Sequence, residues 1–295
     1  MFHRFFILCV LLFQMSISAS EGDYKIVYLN SGPRSLSTVF LRMMESRGDF
    51  TVFNEPTLPV FAKMIYQDSL EGVFLKDSNS SFEQVKETLY CAQKTSHVFV
   101  KDMSFSSHAF LMQDPSFVQD PLVYFLFLVR DPHHMTISYY KKAQEVMPGL
   151  SHVIGLKNLW EEYEVVRELN PNGVKIISSE QLYTDPRETM TELCDHLGIP
   201  FLEEALTWNS YDDNFQGHQE WNEQKQGDQI HHWHGQALSS TQMGTPSTYE
   251  VDEEGNPTFS EVADESDRTE LVGVYEENVI YYRKFLEAKD DHLGL

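Results

Sequence analysis

Cysteine is scarce, three in 295 residues, and Cys9 lies in the apolar N-terminal stretch, so the chain is no disulfide scaffold. Cys91 and Cys194 remain, either as a single bridge in an oxidising compartment or, the expectation here, as two buried free thiols in unrelated helices. Cations are few: Lys and Arg number 22 against 45 Asp and Glu, a formal net charge of -23. That balance argues against a protein that holds nucleic acid by general phosphate neutralisation. An anionic ligand must instead find a local positive site, built from a few placed cations, helix N-termini and backbone N–H groups against the field of the rest of the molecule. Long hydrophobic runs are missing after residue 20. The longest, Leu122 to Val129, has the length of a strand and cannot span a bilayer. Internal repeats are absent too. What the chain does have is 41% hydrophobic and 13% aromatic residues, enough for a sizeable core and against disorder of the whole.

The first residues, Met1, Phe2, His3 and Arg4, precede an apolar run from Phe5 to Met15 broken only by Gln14, and small residues follow from Ser16 to Ser20. This is the layout of a signal peptide, with a short signal anchor or a buried N-terminal helix as the alternative. The expectation is export, into a secretory or Golgi lumen or out of the cell, with residues 21–295 as one domain; a leader that does not function leaves the protein cytoplasmic. Asn79, Ser80 and Ser81 form one glycosylation sequon.

Strands are expected at Tyr24–Leu29, Phe50–Phe53, His97–Val100, Leu122–Val129 and Val174–Ser178, with helices at Ser35 or Leu36 to Gly48 and at Leu156–Leu169. Strands without strict alternation, separated by helical segments, predict an α/β fold: a parallel sheet flanked by helices on both faces. Ligands of such sheets sit beyond the carboxyl ends of the strands. Arg34, Glu55, Lys101 and Arg130 all fall at or just after those ends. After Pro200 the texture becomes irregular: residues 209–234 are rich in Gln, Asn, His and Trp, and 245–267 read as an acidic loop or partly disordered insertion. A final helix, about 267–289, is expected to pack back on the domain.

Gly32, Pro33, Arg34, Ser35, Leu36, Ser37 and Thr38 stand between a strand and a helix, the geometry of a phosphate-binding loop. The nucleotide-kinase form of that loop needs GK[ST] at its end, which is lacking, and no strand ends in a plain metal-binding Asp. With these residues the chain resembles the P-loop sulfotransferases, in the branch with PRSxST in its first loop. Further segments carry the resemblance: NEP at Asn54–Pro56, VKDM at Val100–Met103, RDPHHMTISYY with Arg130 and Ser138 eight positions apart, LGIPF at Leu197–Phe201, and HWHGQALSST at His232–Thr241. Together they cover nearly all of Lys25 to Gly244.

The resemblance implies a co-substrate, 3′-phosphoadenosine 5′-phosphosulfate, with the first loop on its 5′-phosphosulfate and Arg130 with Ser138 on its 3′-phosphate. It also implies a hydroxyl- or amine-bearing acceptor, such as a carbohydrate, lipid or small molecule. No metal is expected; adjacent histidines such as His231, His232 and His234 rarely converge on one ion. Sulfuryl transfer needs an anion cradle, a cation near the bridging oxygen of the leaving nucleotide and a base for the acceptor's proton. Arg34 is the candidate cation, with Lys101 sharing that role or pairing with Asp102 or Glu55. Glu55 is the candidate base, beside the first loop where some sulfotransferases place a carboxylate, and a structural salt bridge with Arg34 or Lys101 is its alternative. His108 is the competing base, and Trp233 a candidate to stack on adenine or to pack in the core. Two other readings stay open: an exported nucleotide-binding protein of the same fold without turnover, and a nucleotide kinase.

Overall fold

The computed structural model describes residues 24–66, 81–210, 229–244 and 248–293. The leader at 1–20 and the sequon at Asn79 lie outside the described residues. In chain order, β1 (Ile26–Ser31) is followed by α1 (Ser37–Ser46), and β2 (Phe50–Asn54) by α2 (Leu58–Tyr66) and α3 (Phe82–Gln93). β3 (His97–Met103) leads into α4 (Ser104–Gln113) and α5 (Pro115–Val118). β4 (Val123–Val129) leads into α6 (Pro132–Ala143), α7 (Leu150–Ile154) and α8 (Leu156–Leu169). β5 (Val174–Ser178) precedes α9 (Ser179–Thr184) and α10 (Pro186–Leu197), and α11 (Gln229–Ser239) and α12 (Glu265–Leu293) complete the set.

The five strands are all parallel, in the order β2-β3-β1-β4-β5. Their sequences are apolar without alternation because both faces are covered. From β1, Ile26 and Tyr28 join one core with Val100, Phe125 and Phe127, beneath α4, α8 and α12. Val27 and Leu29 point to the other core, with Leu126 and Leu128 against Phe40 and Met44 of α1 and Leu193 of α10. β1 is the middle strand, so the loop that leaves it opens at the centre of the sheet's carboxyl edge. This is the position at which such folds place their ligands.

Two strands run further towards that edge than their sequence suggests. Asn30 and Ser31, which read as turn residues, pair in register with Asp102 and Met103 of β3, and Lys101 pairs with Asn54 of β2. The backbone ladder is indifferent to the charge of a side chain if that charge is met elsewhere. Lys101 is met by Glu55, and Asp102 accepts hydrogen bonds from Tyr28 Oη at 2.7 Å and Thr57 Oγ1 at 2.8 Å. Even so, burial pushes the Asp102 carboxyl up to about 6.

α12 is longer than expected and packs as expected: Phe285 lies against Trp160, Tyr163 and Phe127, with ring centroids 5.1, 5.5 and 6.4 Å away. In the acidic stretch before it, Phe259 and Val262 are buried, and the Phe259 ring meets His133 at 5.1 Å. Two apolar anchors thus fasten to the domain a stretch whose composition reads as loop. Cys91 and Cys194 are both free; Cys194 is buried, but Cys91 is exposed on α3, against the expectation that both are buried. Among the described residues no helix is long and apolar enough to cross a membrane.

Candidate active site

The loop from Gly32 to Leu36 turns sharply, and Arg34 and Leu36 take positive φ angles of 63° and 73°. Left-handed backbone at non-glycine residues is costly, and such strain persists only where surrounding contacts over-determine it. Here three groups hold the loop: Ser35 Oγ donates to the Gly32 carbonyl at 2.7 Å, Ser179 Oγ to the Ser35 carbonyl at 2.7 Å, and Arg130 Nη1 to the Arg34 carbonyl at 2.6 Å. Ser35 therefore shapes the loop through its side chain. Gly32 is required by close approach, since a Cβ there would collide with the Ile154 carbonyl oxygen and the Met135 side chain. We expect Gly32→Ala to displace the loop, lowering stability by about 1–3 kcal/mol and weakening anion binding more than proportionately. Urea unfolding beside nucleotide titration checks this; unchanged binding would show that the loop tolerates the shift.

α1 begins on this loop, and its N-cap residue, Leu36, has no side-chain oxygen to accept from the first-turn N–H groups. α4, α7 and α8 likewise begin without a side-chain cap, whereas α3, α6, α9 and α10 are capped by Ser81, Asp131, Ser178 and Asp185. The open donors and the helix dipole leave α1 suited to an anion.

Two groups of side chains flank the loop. In the first, Arg34 Nε donates to Ser138 Oγ at 2.9 Å and its Nη1 donates to the Trp233 carbonyl at 2.7 Å. With Arg130 bound to the Arg34 carbonyl, the two arginines and Ser138 form one constellation. The sequence had suggested two separate sets, Arg34 with its loop and Arg130 with Ser138. Among the described residues no carboxylate lies within salt-bridge distance of either arginine; Asp131 is occupied in accepting from the His133 N–H of α6 at 2.8 Å. Burial, and then the neighbouring Arg130 charge, lower the pKa of Arg34. Tyr183 of α9 lies beneath Arg130, its ring centroid 5.8 Å from the guanidinium carbon. The Trp233 ring packs on Tyr139, with centroids 5.1 Å apart.

In the second group, Lys101, fully buried, forms an ion pair with Glu55, which is 8% exposed. Glu55 also has a positive φ of 53°, and its backbone N–H donates to the Lys101 carbonyl at 2.6 Å. Burial by itself would raise the Glu55 pKa, but the charge of Lys101 and its hydrogen bond outweigh it and hold the carboxyl below its usual range. The pairing of Lys101 is therefore with Glu55 and not with Asp102. Thr38, in the first turn of α1, places Oγ1 3.1 Å from His234 Nδ1. Ser37 is buried beside it.

His108 is turned to α8, where Nε2 lies 3.6 Å from Glu161 and Nδ1 3.9 Å from Glu162. The structure thus brings together Arg34, Arg130 and Ser138 on one side and Glu55, Lys101 and Thr38 on the other. His108 is engaged elsewhere. Sequence reading missed Tyr183, and it weighed His234 only within a histidine cluster, as a metal ligand. The packing of α9 and α11 onto the loop reveals the places of both.

A 191-residue stretch is 29% identical to the branched-chain-amino-acid aminotransferase-like protein 2 of Arabidopsis thaliana, covering 63% of this chain and 32% of that protein. The chain thus spans about a third of the length of that relative. Among solved structures, it is similar to the sulfotransferase domain of the Synechococcus PCC 7002 olefin synthase, with a TM-score of 0.46 at 18% identity over 87% of this chain and 97% of the other. It is also similar to the sulfotransferase domain from the curacin biosynthetic pathway, with a TM-score of 0.46 at 17% identity over 85% and 96%. A family model described as a sulfotransferase domain matches residues 24–251, from the start of the sheet through the loop, the paired arginines and α11, and on that match the chain belongs to the sulfotransferase domain family.

Proposed function

We propose that the chain transfers a sulfuryl group from 3′-phosphoadenosine 5′-phosphosulfate to a hydroxyl or amine of a carbohydrate, lipid or small-molecule acceptor. The observation that carries this reading is the Arg34–Arg130 pair. In a chain of net charge -23, two neighbouring cations have hydroxyl and carbonyl partners but no carboxylate within salt-bridge distance among the described residues. Like charges held together and partly desolvated are costly. An anionic ligand offsets that cost, and a nucleotide with a second anion on the loop uses both groups of side chains.

In this reading Arg34, Arg130 and Ser138 hold the 3′-phosphate, and the N–H groups of Gly32–Thr38 hold the 5′-phosphosulfate. Lys101, expected to share a role with Arg34, takes the place beside the bridging oxygen, because it is the cation that meets Glu55. Glu55 accepts the acceptor's proton as the new S–O or S–N bond forms. The S–O bond to the 5′-phosphate breaks, and its electron pair leaves with that phosphate, next to Lys101. As Lys101 turns to the leaving group its hold on Glu55 loosens, which raises the proton affinity of the carboxylate when it is needed. Export through the leader is part of the proposal and requires a compartment supplied with the sulfated nucleotide.

Calorimetry tests the reading. The protein should bind 3′-phosphoadenosine 5′-phosphate without added metal and AMP about tenfold or more weakly, the scale of one or two charge-assisted hydrogen bonds. Equal affinity for the two would remove the 3′-phosphate assignment. Stabilisation by ATP with Mg²⁺ but not by the sulfated nucleotide would favour a kinase.

A further inference from the structure

Three fully buried polar side chains meet where β1 passes into the loop: Asn30 of β1, Ser107 of α4 and Glu162 of α8. Asn30 Nδ2 donates to Glu162 Oε2. Ser107 Oγ lies 3.0 Å from Asn30 Oδ1, 3.0 Å from the Met103 carbonyl oxygen and 3.2 Å from Glu162 Oε1. A hydroxyl has one hydrogen to give, and none of these three oxygens supplies another if the carboxyl is ionised. An ionised Glu162 would then hold one full hydrogen bond, from Asn30, and a share of one from Ser107, too little for a charge removed from water. Protonation of Oε1 completes the count. The acid donates to Ser107 Oγ, Ser107 donates to Asn30 Oδ1, and Asn30 Nδ2 donates back to Oε2, a closed ring of three hydrogen bonds running in one sense. Burial raises the Glu162 pKa well above the usual carboxylate range, in agreement with that count. Among the described residues, the titratable groups facing it are Tyr28 of β1, Asp102 of β3, His108 of α4, whose Nδ1 is 3.9 Å away, and Glu161 of its own helix.

The ring reaches the loop through β1. Asn30 Oδ1 also accepts from the Ser31 N–H at 3.1 Å, and Ser31 is the last residue of the strand, directly before Gly32. At Gly32 the chain runs against the Ile154 carbonyl oxygen and the Met135 side chain closely enough to exclude a Cβ. With no slack there, a displacement of Asn30 passes into the loop. We infer that Glu162, held as the neutral acid, is a positioning residue that fixes the end of β1 and with it the N–H groups of the loop; the assignment of those groups to the 5′ anion rests on the nucleotide reading above. A neutral acid suits the place. It completes the network without setting a negative charge behind a loop that receives an anion.

The test titrates 3′-phosphoadenosine 5′-phosphate and adenosine 3′-phosphate into the wild type, Glu162→Gln and Glu162→Leu. Glutamine reproduces the ring, its oxygen accepting from Asn30 and its amide N–H donating to Ser107, so both affinities should stay within about twofold. Leucine fills the space but breaks the ring. It should weaken the 5′-phosphorylated nucleotide about tenfold and adenosine 3′-phosphate, which gives the loop no 5′ anion to hold, by less than about twofold. Infrared spectra at neutral pH should show the carbonyl stretch of a protonated carboxyl in the wild type and not in Glu162→Gln. With its pKa raised, the stability that Glu162 contributes is full below the unfolded carboxylate pKa and is lost as pH rises through the folded one. Urea unfolding should therefore show the wild type losing stability relative to Glu162→Gln as pH rises. A tenfold loss of affinity in Glu162→Gln, or absence of the infrared band, would show an ionised carboxylate paired with His108 and overturn the inference. If Glu162→Leu keeps the wild-type ratio, by weakening neither nucleotide or both equally, the positioning role alone falls. If the wild type binds neither nucleotide, the proposed function falls and the positioning role with it.

Discussion

Glu55→Gln should lower the rate of sulfuryl transfer by about 10²–10⁴-fold, the range for loss of a general base, while affinity for the nucleotide barely moves. The assay is transfer from labelled sulfated nucleotide to a panel of hydroxyl and amine acceptors. Glutamine keeps the size and hydrogen bonding of the side chain but has no useful proton affinity. Since Glu55 is also the partner of the fully buried Lys101, the same variant leaves an uncompensated charge and should lose about 3–5 kcal/mol of stability. Glu55→Gln combined with Lys101→Met removes both charges and should recover most of the stability, which identifies the loss in the single variant as the uncompensated Lys101 charge. The pH dependence follows from the same pair. The Glu55 carboxyl is held below its ordinary range, so the stability it contributes is present above the unfolded carboxylate pKa and is lost as pH falls through the folded one. Glu55→Gln should remove that component of acid unfolding. Near wild-type turnover in Glu55→Gln would take this residue out of the mechanism.

Arg130→Ala should weaken binding of 3′-phosphoadenosine 5′-phosphate by about 1.5–3 kcal/mol, or roughly 10- to 150-fold, and weaken AMP less, through the loop carbonyl that Arg130 also holds. Arg34→Ala should do the same, because its guanidinium is turned to Ser138. That is where the structure departs most from the sequence, in which Arg34 stands inside the first loop and reads as a residue of the 5′ end. Arg34→Lys should not restore affinity, since an ammonium cannot reach Ser138 and the Trp233 carbonyl together from one rigid fork. Calorimetric titration of both nucleotides into each variant decides the matter. If Arg34→Ala weakens AMP and the 3′-phosphorylated nucleotide equally, Arg34 serves the 5′ end and the paired-arginine site is wrongly assigned.

Much of the fold was legible in order. The apolar runs of β4 and β5 end within a residue of where they were expected, because a strand buried on both faces must be apolar throughout. The loop was legible too, since Gly32, Pro33 and the hydroxyls before α1 form a local pattern set by backbone geometry. Strand ends were less so: Lys101 and Asp102 read as the close of a strand, yet they lie inside β3, their charges met by residues distant in sequence.

The sequence by itself determined a parallel α/β sheet, a tight strand-to-helix loop at its carboxyl edge, and the inventory of residues within reach of that edge. Those features follow from local rules of periodicity, turn formation and helix capping. Tertiary structure alone decided the pairing among them: Lys101 with Glu55, Arg34 with Ser138, and His234 with Thr38 across a separation of 196 positions. The reason is physical. In a protein interior each charge takes the partner that packing places within a few ångströms, and residues far apart along the chain carry no local trace of that choice.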